Sequence, residues 1–538
     1  MGQATLTEKK QYRVLVCDDL AEEGLALFAK ETALDVVVKT KLPLEELKKE
    51  VSQSDACIVR SGTQLTREVI ESGSRLKVIG RAGVGLDNVD LEAASKKGIV
   101  VINTPGGNTI SAAEHTFCLL MALARNIPLA NDSLKSGKWE RKKFTGVELM
   151  DKTLGVLGLG RIGSEVAKRG QAFGMRVVAY DPYLRAEKAN EIGVELVSVD
   201  ELVQRADFIT LHMPLTAENK NLIGEKQFQK MKKTARIINC ARGGLVDEQA
   251  LAKAIAAGTI AGAALDVFEE EPPVKDHPLF KLPQVIVTPH LGASTEEAQI
   301  AVSVDVAQSV ADYLLGRGVR NAVNVPAVDP EVLGQMRPYI GLAEKIGALQ
   351  AQLIEGQILQ VDIHYHGQVC KYETTPVTVA AIKGLLSPIL AESVNYVNAS
   401  FLARERGIKI TESKSSDEHR YSNLIRVEVR TDRRSFVAAG TVFGREDVRI
   451  IRLDDFDVEA VPEGYILLIA NRDVPGIVGQ IGSLLGSNNV NIAGMTLGRD
   501  VPGGQARTLL KIDSAVPDKL LEEIKKAKNI LDAKLIRL

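Results

Sequence analysis

A glycine-rich run stands between two segments that have the composition of β-strands. Residues 158–163 read Gly-Leu-Gly-Arg-Ile-Gly and follow the apolar segment Thr153–Leu157. Such glycines allow a tight turn from strand to helix, close approach of the backbone to a pyrophosphate, and close packing of the helix on the strand. The helix N-terminus adds amide donors and a favourable dipole. The run therefore predicts a dinucleotide site built on Gly158, Gly160 and Gly163.

An acidic residue follows the next strand-like segment. Arg176–Tyr180 is rich in β-branched residues, and Asp181 comes directly after it. A carboxylate at this strand end can bind both ribose hydroxyls of NAD, whereas it repels the additional phosphate of NADP. Asp181 therefore favours NAD as the cofactor.

Three further polar side chains follow strand-like segments, where open α/β sheets bind ligands. Arg242 follows residues 236–239, and a guanidinium can hold a carboxylate through two parallel hydrogen bonds. His290 follows residues 285–287, and histidine is well suited to removing a hydroxyl proton near neutral pH. A nearby carboxylate stabilises the protonated imidazole, which makes Glu271 the expected partner. Together these residues predict hydride transfer from a secondary alcohol to NAD.

Each of these residues also has a structural explanation when it is taken alone. Arg242 is then a surface cation, Glu271 part of a solvated acidic run, and His290 a hydrogen-bonded core residue. Their joint occurrence at strand ends downstream of the glycine-rich run favours the catalytic interpretation. The other histidines of this half of the chain are interpreted as structural: His115, His212 and His277.

Strands and helices alternate through the first 320 residues. Short β-branched runs alternate with segments rich in Leu, Glu and Lys from residue 12 to 101, and the alternation resumes from residue 153 to 287. This pattern predicts an α/β fold with two doubly wound parallel sheets, of the Rossmann or flavodoxin-like kind. We expect residues 1–103 and 295–320 to form a substrate-binding domain and residues 104–294 to form an NAD-binding Rossmann domain.

The remaining residues have a different character. A stretch from Val319 to Pro330 that contains Pro326 breaks the alternation and predicts a linker. Residues 321–455 contain one helix and then strand-like runs, which predicts an α+β intervening domain. Residues 456–538 read strand, helix, strand, strand, helix, strand, the order of a ferredoxin-like βαββαβ unit.

Composition excludes several classes of protein. The net charge of −2 and the mixing of both signs give no basic surface for nucleic acid. No apolar run is long enough to cross a bilayer, and residues 1–11 lack the hydrophobic stretch of a signal peptide. The five scattered cysteines lack metal-ligand spacing and fit a reducing compartment, so a cytoplasmic protein is expected. His364 and His366 share a strand face without further ligands, so no metal is predicted.

These motifs together resemble the D-isomer-specific 2-hydroxyacid dehydrogenases, and the resemblance covers nearly the whole chain. It rests on residues 158–163, Asp181, residues 239–244, residues 266–272 and residues 289–293. The resemblance implies that Arg242, Glu271 and His290 are the catalytic set, with Glu271 chosen because the family's glutamate directly precedes a proline. It also implies further NAD contacts, from Arg161, Ile162, Cys240, Ala241, Arg242, Asp266, His290, Gly292 and Ala293.

The resemblance is strongest to family members that act on a phosphorylated acid. It implies NAD-dependent oxidation of 3-phospho-D-glycerate to 3-phosphooxypyruvate, the first step of L-serine biosynthesis. The expected contacts to the carboxylate and phosphate of this substrate come from Arg60, Ser61, Gly62, Arg81 and Asn108, and from Arg141 of a partner subunit. An unphosphorylated 2-hydroxy acid, such as glycerate or 2-hydroxyglutarate, stays open as the substrate, and so does a non-catalytic NAD-sensing regulator.

The resemblance extends beyond the catalytic unit. Residues 321–455 look like the intervening domain of long-form members, and residues 456–538 look like an ACT domain, a small regulatory unit that binds amino acids. An ACT domain implies a homodimer or homotetramer and L-serine as a possible effector, held by Asn471, Asp473 and Asn491. This chain departs from the pattern at Val474, where an arginine is common, and at Asn471, where histidine or tyrosine is familiar.

Overall fold

Four sheets organise the chain in the computed structural model, which describes residues 12–325, 330–390, 394–415 and 420–538. The N-terminal segment 1–11 lies outside these residues, as does the part of the predicted linker from residue 326 to 329. Within the described residues, no helix combines the length and apolar character that crossing a membrane requires.

The first sheet has five parallel strands in the order β2-β1-β3-β4-β5. Its strands are β1 (Tyr12–Val16), β2 (Leu34–Val38), β3 (Ala56–Val59), β4 (Val78–Arg81) and β5 (Val100–Ile102). Four helices connect them: α1 (Glu22–Ala29), α2 (Leu44–Ser52), α3 (Arg67–Ser72) and α4 (Leu91–Lys96). The central strand β3 is buried along its whole length, because helices cover both faces of a parallel sheet.

The second sheet has seven parallel strands in the order β12-β11-β10-β9-β6-β7-β8. They are β6 (Thr153–Leu157), β7 (Arg176–Tyr180), β8 (Glu195–Leu196), β9 (Phe208–Leu211), β10 (Arg236–Asn239), β11 (Gly262–Leu265) and β12 (Val285–Val287). Its helices are α7 (Arg161–Ala172), α8 (Ala186–Glu191), α9 (Val199–Arg205), α10 (Glu225–Lys230) and α11 (Glu248–Ala256), with a 3-10 helix at Pro278–Lys281. The strand order reverses at β6, which places the glycine-rich run at the point where such sheets bind ligands.

Two long helices cross between these sheets. Helix α5 (Thr109–Ala124) leads from the first sheet to the second and is followed by α6 (Ile127–Lys135) and a 3-10 helix at Arg141–Phe144. Helix α12 (Glu296–Leu314) returns to pack on the first sheet. A Cβ at Gly80 of β4 would lie 2.7 Å from the side chains of both Val306 and Val310, so this packing requires a glycine.

The third sheet has six mixed strands in the order β14-β13-β15-β16-β17-β18. They are β13 (Ile358–Gly367), β14 (Lys409–Ser415), β15 (Asn423–Thr431), β16 (Ser435–Phe443), β17 (Asp447–Leu453) and β18 (Phe456–Ala460). Helices α13 (Pro330–Leu353), α14 (Thr375–Leu386) and α15 (Ala399–Glu405) accompany it, with a 3-10 helix at Gln368–Lys371. Helices α13 and α14 pack closely, because Gly347 and Gly384 each face the backbone of the other helix.

The fourth sheet has four antiparallel strands in the order β20-β21-β19-β22. They are β19 (Tyr465–Arg472), β20 (Ile492–Arg499), β21 (Gln505–Ile512) and β22 (Ile530–Arg537), joined in part by α16 (Ile477–Ser487) and α17 (Asp518–Lys526). This is the predicted βαββαβ order, and the predicted fold class is confirmed for the four sheets. The predicted domain limits stay predictions.

Candidate active site

A histidine and a glutamate face each other at the carboxyl end of the seven-stranded sheet. Nδ1 of His290 lies 2.7 Å from Oε2 of Glu271. The other oxygen of Glu271 accepts a hydrogen bond of 3.1 Å from the backbone amide of Phe268, which fixes the carboxylate. His290 has a φ of 55°, an uncommon backbone conformation for a residue other than glycine that costs on the order of 1 kcal/mol. Because Nδ1 binds Glu271, Nε2 is left for a substrate proton.

The two groups shift each other's protonation. The hydrogen bond that His290 donates to Glu271 raises the pKa of His290, although burial and the positive charge of Arg242 oppose this change. Burial alone would raise the pKa of Glu271, but the hydrogen bond and charge of His290 outweigh it and hold that pKa below its usual range. The pair therefore favours a carboxylate next to an imidazole that gains a proton readily.

Asp266, at the end of β11, organises the loop that carries His290. Its carboxylate accepts hydrogen bonds of 2.8 Å from the backbone amides of both Leu291 and Gly292, and one of 2.6 Å from the Thr288 hydroxyl. Nε2 of His115 lies 3.1 Å from the same carboxylate. Burial would raise the pKa of Asp266, but these hydrogen bonds hold it below the usual range.

The contact of His115 links helix α5 to this loop and does not follow from the sequence pattern. The two residues are 151 positions apart, and a histidine on a largely buried helix resembles any other core residue. The sulfur of Cys240 belongs to the same cluster, with the ligand atoms of the three residues within 4.8 Å of one another. Burial raises the pKa of the Cys240 thiol to about 12, so it stays protonated.

Arg242 lies between the two parallel sheets. Its Nη1 donates a hydrogen bond of 2.6 Å to the Ala241 carbonyl, and its Nε donates one of 3.1 Å to the carboxylate of Asp87, which follows β4. A Cβ at Gly85 would lie 2.0 Å from Nη2 of Arg242, so a larger residue there would displace the guanidinium group. Asp87 was not among the residues predicted from the sequence, because an exposed acid in a loop carries no motif.

Arg81, at the end of β4, is the most buried cation of the cleft. Burial and the nearby charge of Arg242 lower the pKa of Arg81 to about 10. Arg60 lowers it further, so the three guanidinium groups lie within electrostatic reach of one another. No described residue hydrogen-bonds Nε of Arg81 or Oδ1 of Asn108, although both atoms are buried. An anionic ligand would accept a hydrogen bond from Nε of Arg81, whereas Oδ1 of Asn108 accepts and requires a donor such as a hydroxyl group.

The side chain of Asp18 fixes the turn that carries Arg60, Ser61 and Gly62. One oxygen of Asp18 accepts hydrogen bonds from the backbone amides of Arg60 (2.6 Å) and Thr63 (3.2 Å). Arg60, Ser61 and Gly62 line a cavity of about 480 Å³ at the carboxyl end of the five-stranded sheet. The turn therefore presents one cation and two small residues to this cavity.

The glycine-rich run has the geometry that a pyrophosphate requires. Gly158 has a φ of 94°, and a Cβ there would lie 2.7 Å from the His212 carbonyl oxygen. A Cβ at Gly163 would lie 2.0 Å from the Gly158 carbonyl oxygen, whereas the space beside Gly160 is open. Arg161 and Ile162 form the first turn of α7, whose amides lack intrahelical partners. The residues therefore fit a dinucleotide.

Asp181 lies at the same site, directly after β7. Its carboxylate accepts hydrogen bonds of 2.9 Å from the backbone amides of Leu159 and Tyr183. These bonds fix the carboxylate at the strand end where a ribose would lie. His212 lies near the glycine turn, and desolvation lowers its pKa to about 3, so it remains neutral.

Known proteins are similar in sequence to this chain over almost its entire length. A D-3-phosphoglycerate dehydrogenase of a Synechocystis species is 48% identical over 527 residues, which are 98% of this chain and 95% of that protein. The protein of the same name from Methanocaldococcus jannaschii is 47% identical, and the match covers 98% of this chain and all of that protein. The chain belongs to the D-3-phosphoglycerate dehydrogenase family.

Family models divide this member of the D-3-phosphoglycerate dehydrogenases into recognisable parts. The model described as the NAD binding domain of D-isomer specific 2-hydroxyacid dehydrogenases matches residues 117–292. The model of the D-3-phosphoglycerate dehydrogenase intervening domain matches residues 335–454, and that of the ACT domain matches residues 465–529. The predicted family and the predicted cofactor, NAD, are confirmed.

Solved structures of the wider superfamily are similar in the first part of the chain. D-lactate dehydrogenase from Aquifex aeolicus, complexed with NAD and lactic acid, is 32% identical with a TM-score of 0.53. The TT0316 protein from Thermus thermophilus is 36% identical with a TM-score of 0.54. Each similarity covers 58% of this chain, and 100% and 99% of the respective structures.

Other residues predicted for ligand binding in this chain lie away from the cleft. Arg141 is on the exposed 3-10 helix beyond α6. Asn471 is buried and hydrogen-bonds Thr508, whereas Asp473 accepts bonds from Arg499 and Gly503.

Asn491 lies near the other end of the ACT sheet. It precedes β20, whose first residue, Ile492, pairs with Ile512, whereas Asn471 pairs with Ala506. Six residues of strand separate the two ends, roughly 20 Å. A site that contains Asn471 and Asn491 together therefore requires two copies of the chain.

Proposed function

We propose that this enzyme oxidises 3-phospho-D-glycerate to 3-phosphooxypyruvate with NAD, in the first step of L-serine biosynthesis. The observation that carries the proposal is the His290–Glu271 pair, whose nitrogen and oxygen are 2.7 Å apart, beside a cleft that also holds Arg242 and Arg81. The pair supplies a base, and the guanidinium groups supply positive charge for a substrate with both a carboxylate and a phosphate.

His290 removes the proton of the C2 hydroxyl through Nε2. The glycine-rich run would hold NAD, whose nicotinamide would supply the acceptor for the hydride that leaves C2. Glu271 stabilises the imidazolium that forms, because its carboxylate hydrogen-bonds Nδ1. In the reverse direction, the protonated His290 returns its proton to the carbonyl oxygen of the 2-oxo acid.

Arg242 holds the carboxylate of the substrate and polarises the C2 oxygen. Asp87 binds the guanidinium at Nε, which leaves Nη2 available. The phosphate lies against the cations of the five-stranded sheet, with Arg60, Ser61, Gly62, Arg81 and Asn108 as its contacts. A phosphorylated acid carries extra negative charge, and these cations favour it over glycerate or lactate.

The NAD contacts in this proposal follow the strand ends of the seven-stranded sheet. The glycine-rich run binds the pyrophosphate and Asp181 binds the ribose hydroxyls. The residues around the nicotinamide are those that Asp266 organises or that end β10, namely Cys240, Ala241, Gly292 and Ala293.

Subunit association completes the proposal. Ile127, Leu134 and Trp139 expose 55%, 57% and 76% of their surface on and after α6, which is a large apolar area for one region. We propose that this region pairs with a second copy in a homodimer or homotetramer, which brings Arg141 to the partner's cleft. L-serine acts as the effector at the ACT domain. We also propose that the reaction takes place in the cytoplasm, which the five free cysteines support because they fit a reducing compartment.

The test is NADH formation at 340 nm with purified enzyme, NAD and a trap for the ketone. Turnover with 3-phospho-D-glycerate should exceed turnover with D-glycerate by at least about tenfold in kcat/KM, the effect of one charge-assisted contact. Arg60→Gln should remove that preference while NAD binding is retained. Equal turnover of both acids would reject the phosphoacid, and absence of turnover with any 2-hydroxy acid would reject catalysis.

A further inference from the structure

A second charged cavity lies between the six-stranded and the four-stranded sheets. Its volume is about 240 Å³, and β16, β19, β21 and β22 contribute to its walls. One rim is closed by contacts between α13 and β22, where Gln352 and Arg537 exchange two hydrogen bonds of 3.0 Å. The cavity therefore lies where the intervening region and the ACT sheet meet, away from the cleft described above.

Charges of both signs line this cavity. Arg434 and Arg507 provide two guanidinium groups, and Asp454 and Asp532 provide two carboxylates, whereas the ammonium group of Lys534, which also lines it, lies 3.4 Å from the carboxylate of Glu355. Among the described ion pairs, none joins the two arginines or the two aspartates to an oppositely charged group within 4.0 Å. The guanidinium of Arg507 instead lies over the ring of Phe456, 4.5 Å from its centre. One oxygen of Asp454 accepts a hydrogen bond from the Val437 amide.

Two of these charged groups, Arg507 and Asp454, are partly removed from water, whereas Arg434 and Asp532 are exposed. Burial lowers the pKa of Arg507, and the nearby charge of Arg434 lowers it further, while Asp454 and Asp532 act in the opposite direction. Burial raises the pKa of Asp454, which Arg434 and Arg507 oppose. Arg507 and Asp454 thus lie close enough to their charged neighbours to be influenced by them, although no described ion pair joins the two arginines to the two aspartates. A ligand that carries both signs of charge would satisfy them better.

The arrangement selects one chemical class. A simple anion would meet the two guanidinium groups but would be repelled by Asp454 and Asp532, and a metal cation would be repelled by the arginines. Aliphatic and aromatic side chains complete the wall, among them Leu468, Leu531 and Phe436.

We propose that the cavity binds a small aliphatic α-amino acid as a zwitterion, with its carboxylate on Arg434 and Arg507 and its ammonium group on Asp454 and Asp532. The site is distinct from the residues predicted to hold L-serine. Ala470 of β19 lines the cavity, and the next residue, Asn471, points to the opposite face of the strand. A bound amino acid bridges the two sheets and stabilises their contact.

L-valine and its two truncated analogues test the proposal by calorimetric titration of the full-length enzyme. 3-Methylbutanoate lacks the ammonium group of valine, and isobutylamine lacks the carboxylate. We expect valine to bind and each analogue to bind at least about tenfold more weakly, because each leaves two charges unmatched. Undetectable valine binding at millimolar concentration, or equal binding of 3-methylbutanoate, would overturn the proposal.

Variants assign the binding to this cavity. Arg507→Gln and Arg434→Gln should each weaken valine binding by about tenfold or more. Arg434 is exposed, so its variant keeps the test valid if Arg507→Gln fails to fold. Arg433→Gln is the matched control, because Arg433 is the exposed neighbour that does not line the cavity. Equal valine affinity in Arg434→Gln and Arg433→Gln would reject this site.

L-serine distinguishes the aliphatic site from the predicted serine site. Any serine that enters this cavity should bind more weakly than valine, whereas serine held at Asn471, Asp473 and Asn491 should keep its affinity in Arg434→Gln. If serine bound as tightly as valine and lost its affinity in Arg434→Gln, the aliphatic preference would be wrong. Asn491→Ala should leave valine binding unchanged, because Asn491 lies outside the cavity.

Discussion

The two walls of the active cleft differ in how completely their polar groups are satisfied. On the seven-stranded side, Asp266 and Glu271 accept hydrogen bonds from backbone amides and from His115 or His290. On the five-stranded side, buried polar atoms of Arg81 and Asn108 have no partner among the described residues. One wall is hydrogen-bonded within the protein, whereas the other presents charge that the protein leaves uncompensated.

This difference separates catalysis from recognition. A base must hold its tautomer and direction before the substrate arrives, so His290 and its loop are fixed by internal bonds. A phosphate site gains affinity when the protein itself provides few partners for its cations. The Nε–H donor of Arg81, which no described residue binds, therefore favours phosphate binding. Changes on the first wall should therefore reduce kcat, and changes on the second should mainly raise KM.

The largest effect is expected from replacing His290, the general base on the seven-stranded side of the cleft. His290→Gln should lower kcat by about 10²- to 10⁴-fold, because general base catalysis is lost, while NAD affinity changes little. Steady-state kinetics and calorimetric titration with NAD measure the two quantities. His364→Gln, in the six-stranded sheet, is the control. A His290→Gln enzyme with normal kcat would remove His290 from the chemistry.

A smaller effect is expected on the second wall. Arg81→Gln should raise KM for 3-phospho-D-glycerate by about 10- to 100-fold, the value of one charge-assisted contact, and should change kcat less. Arg67→Gln is a suitable control, since Arg67 makes exposed ion pairs with Asp90 and Glu92. If kcat fell and KM stayed constant, the assignment of recognition to this wall would be wrong.

The pH dependence sharpens the role of Glu271. Oxidation requires neutral His290, so kcat/KM should rise with pH through the pKa of His290, which Glu271 raises above its usual value. Glu271→Gln removes that effect and should move the rise to lower pH while reducing the maximal rate about tenfold. Glu270→Gln should leave the profile in place. An identical profile for Glu271→Gln would show that another group titrates.

The smallest effect is expected from the contact between the two sides of the cleft, which Asp87 and Arg242 form. Asp87→Asn removes the charge that binds Nε of Arg242, an exposed contact of 3.1 Å. Exposed ion pairs contribute little, so KM should change only a few-fold and kcat less. Asp35→Asn, exposed on β2, is the control. A loss of kcat comparable to that of His290→Gln would mean that Asp87 belongs to the fixed wall.

Local patterns in the sequence were sufficient to predict the sheets and the motifs at the ends of their strands. The predicted alternation over residues 12–101 corresponds to β1–β5 with their helices, and the predicted alternation over residues 153–287 corresponds to β6–β12 with theirs. The short helix α6 was not predicted, because its apolar side chains are not buried within one chain. Exposed apolar residues give a weaker signal than a buried helix face.

Contacts between residues that are far apart in the chain could not be predicted from the sequence. His115 and Asp266 are 151 positions apart, and Arg242 and Asp87 are 155 apart. Neither pair has a fixed spacing, because the loops between sheet elements vary in length without changing the fold.

The sequence by itself determined the glycine turn, the acid after β7 and the order of strands, since each depends on neighbours within a few residues. Tertiary structure decided which cations share the cleft, which histidine binds which carboxylate, and that four unpaired charges enclose a cavity between two sheets. Those outcomes depend on how separate elements pack, and packing brings together side chains whose spacing in the chain carries no information about it.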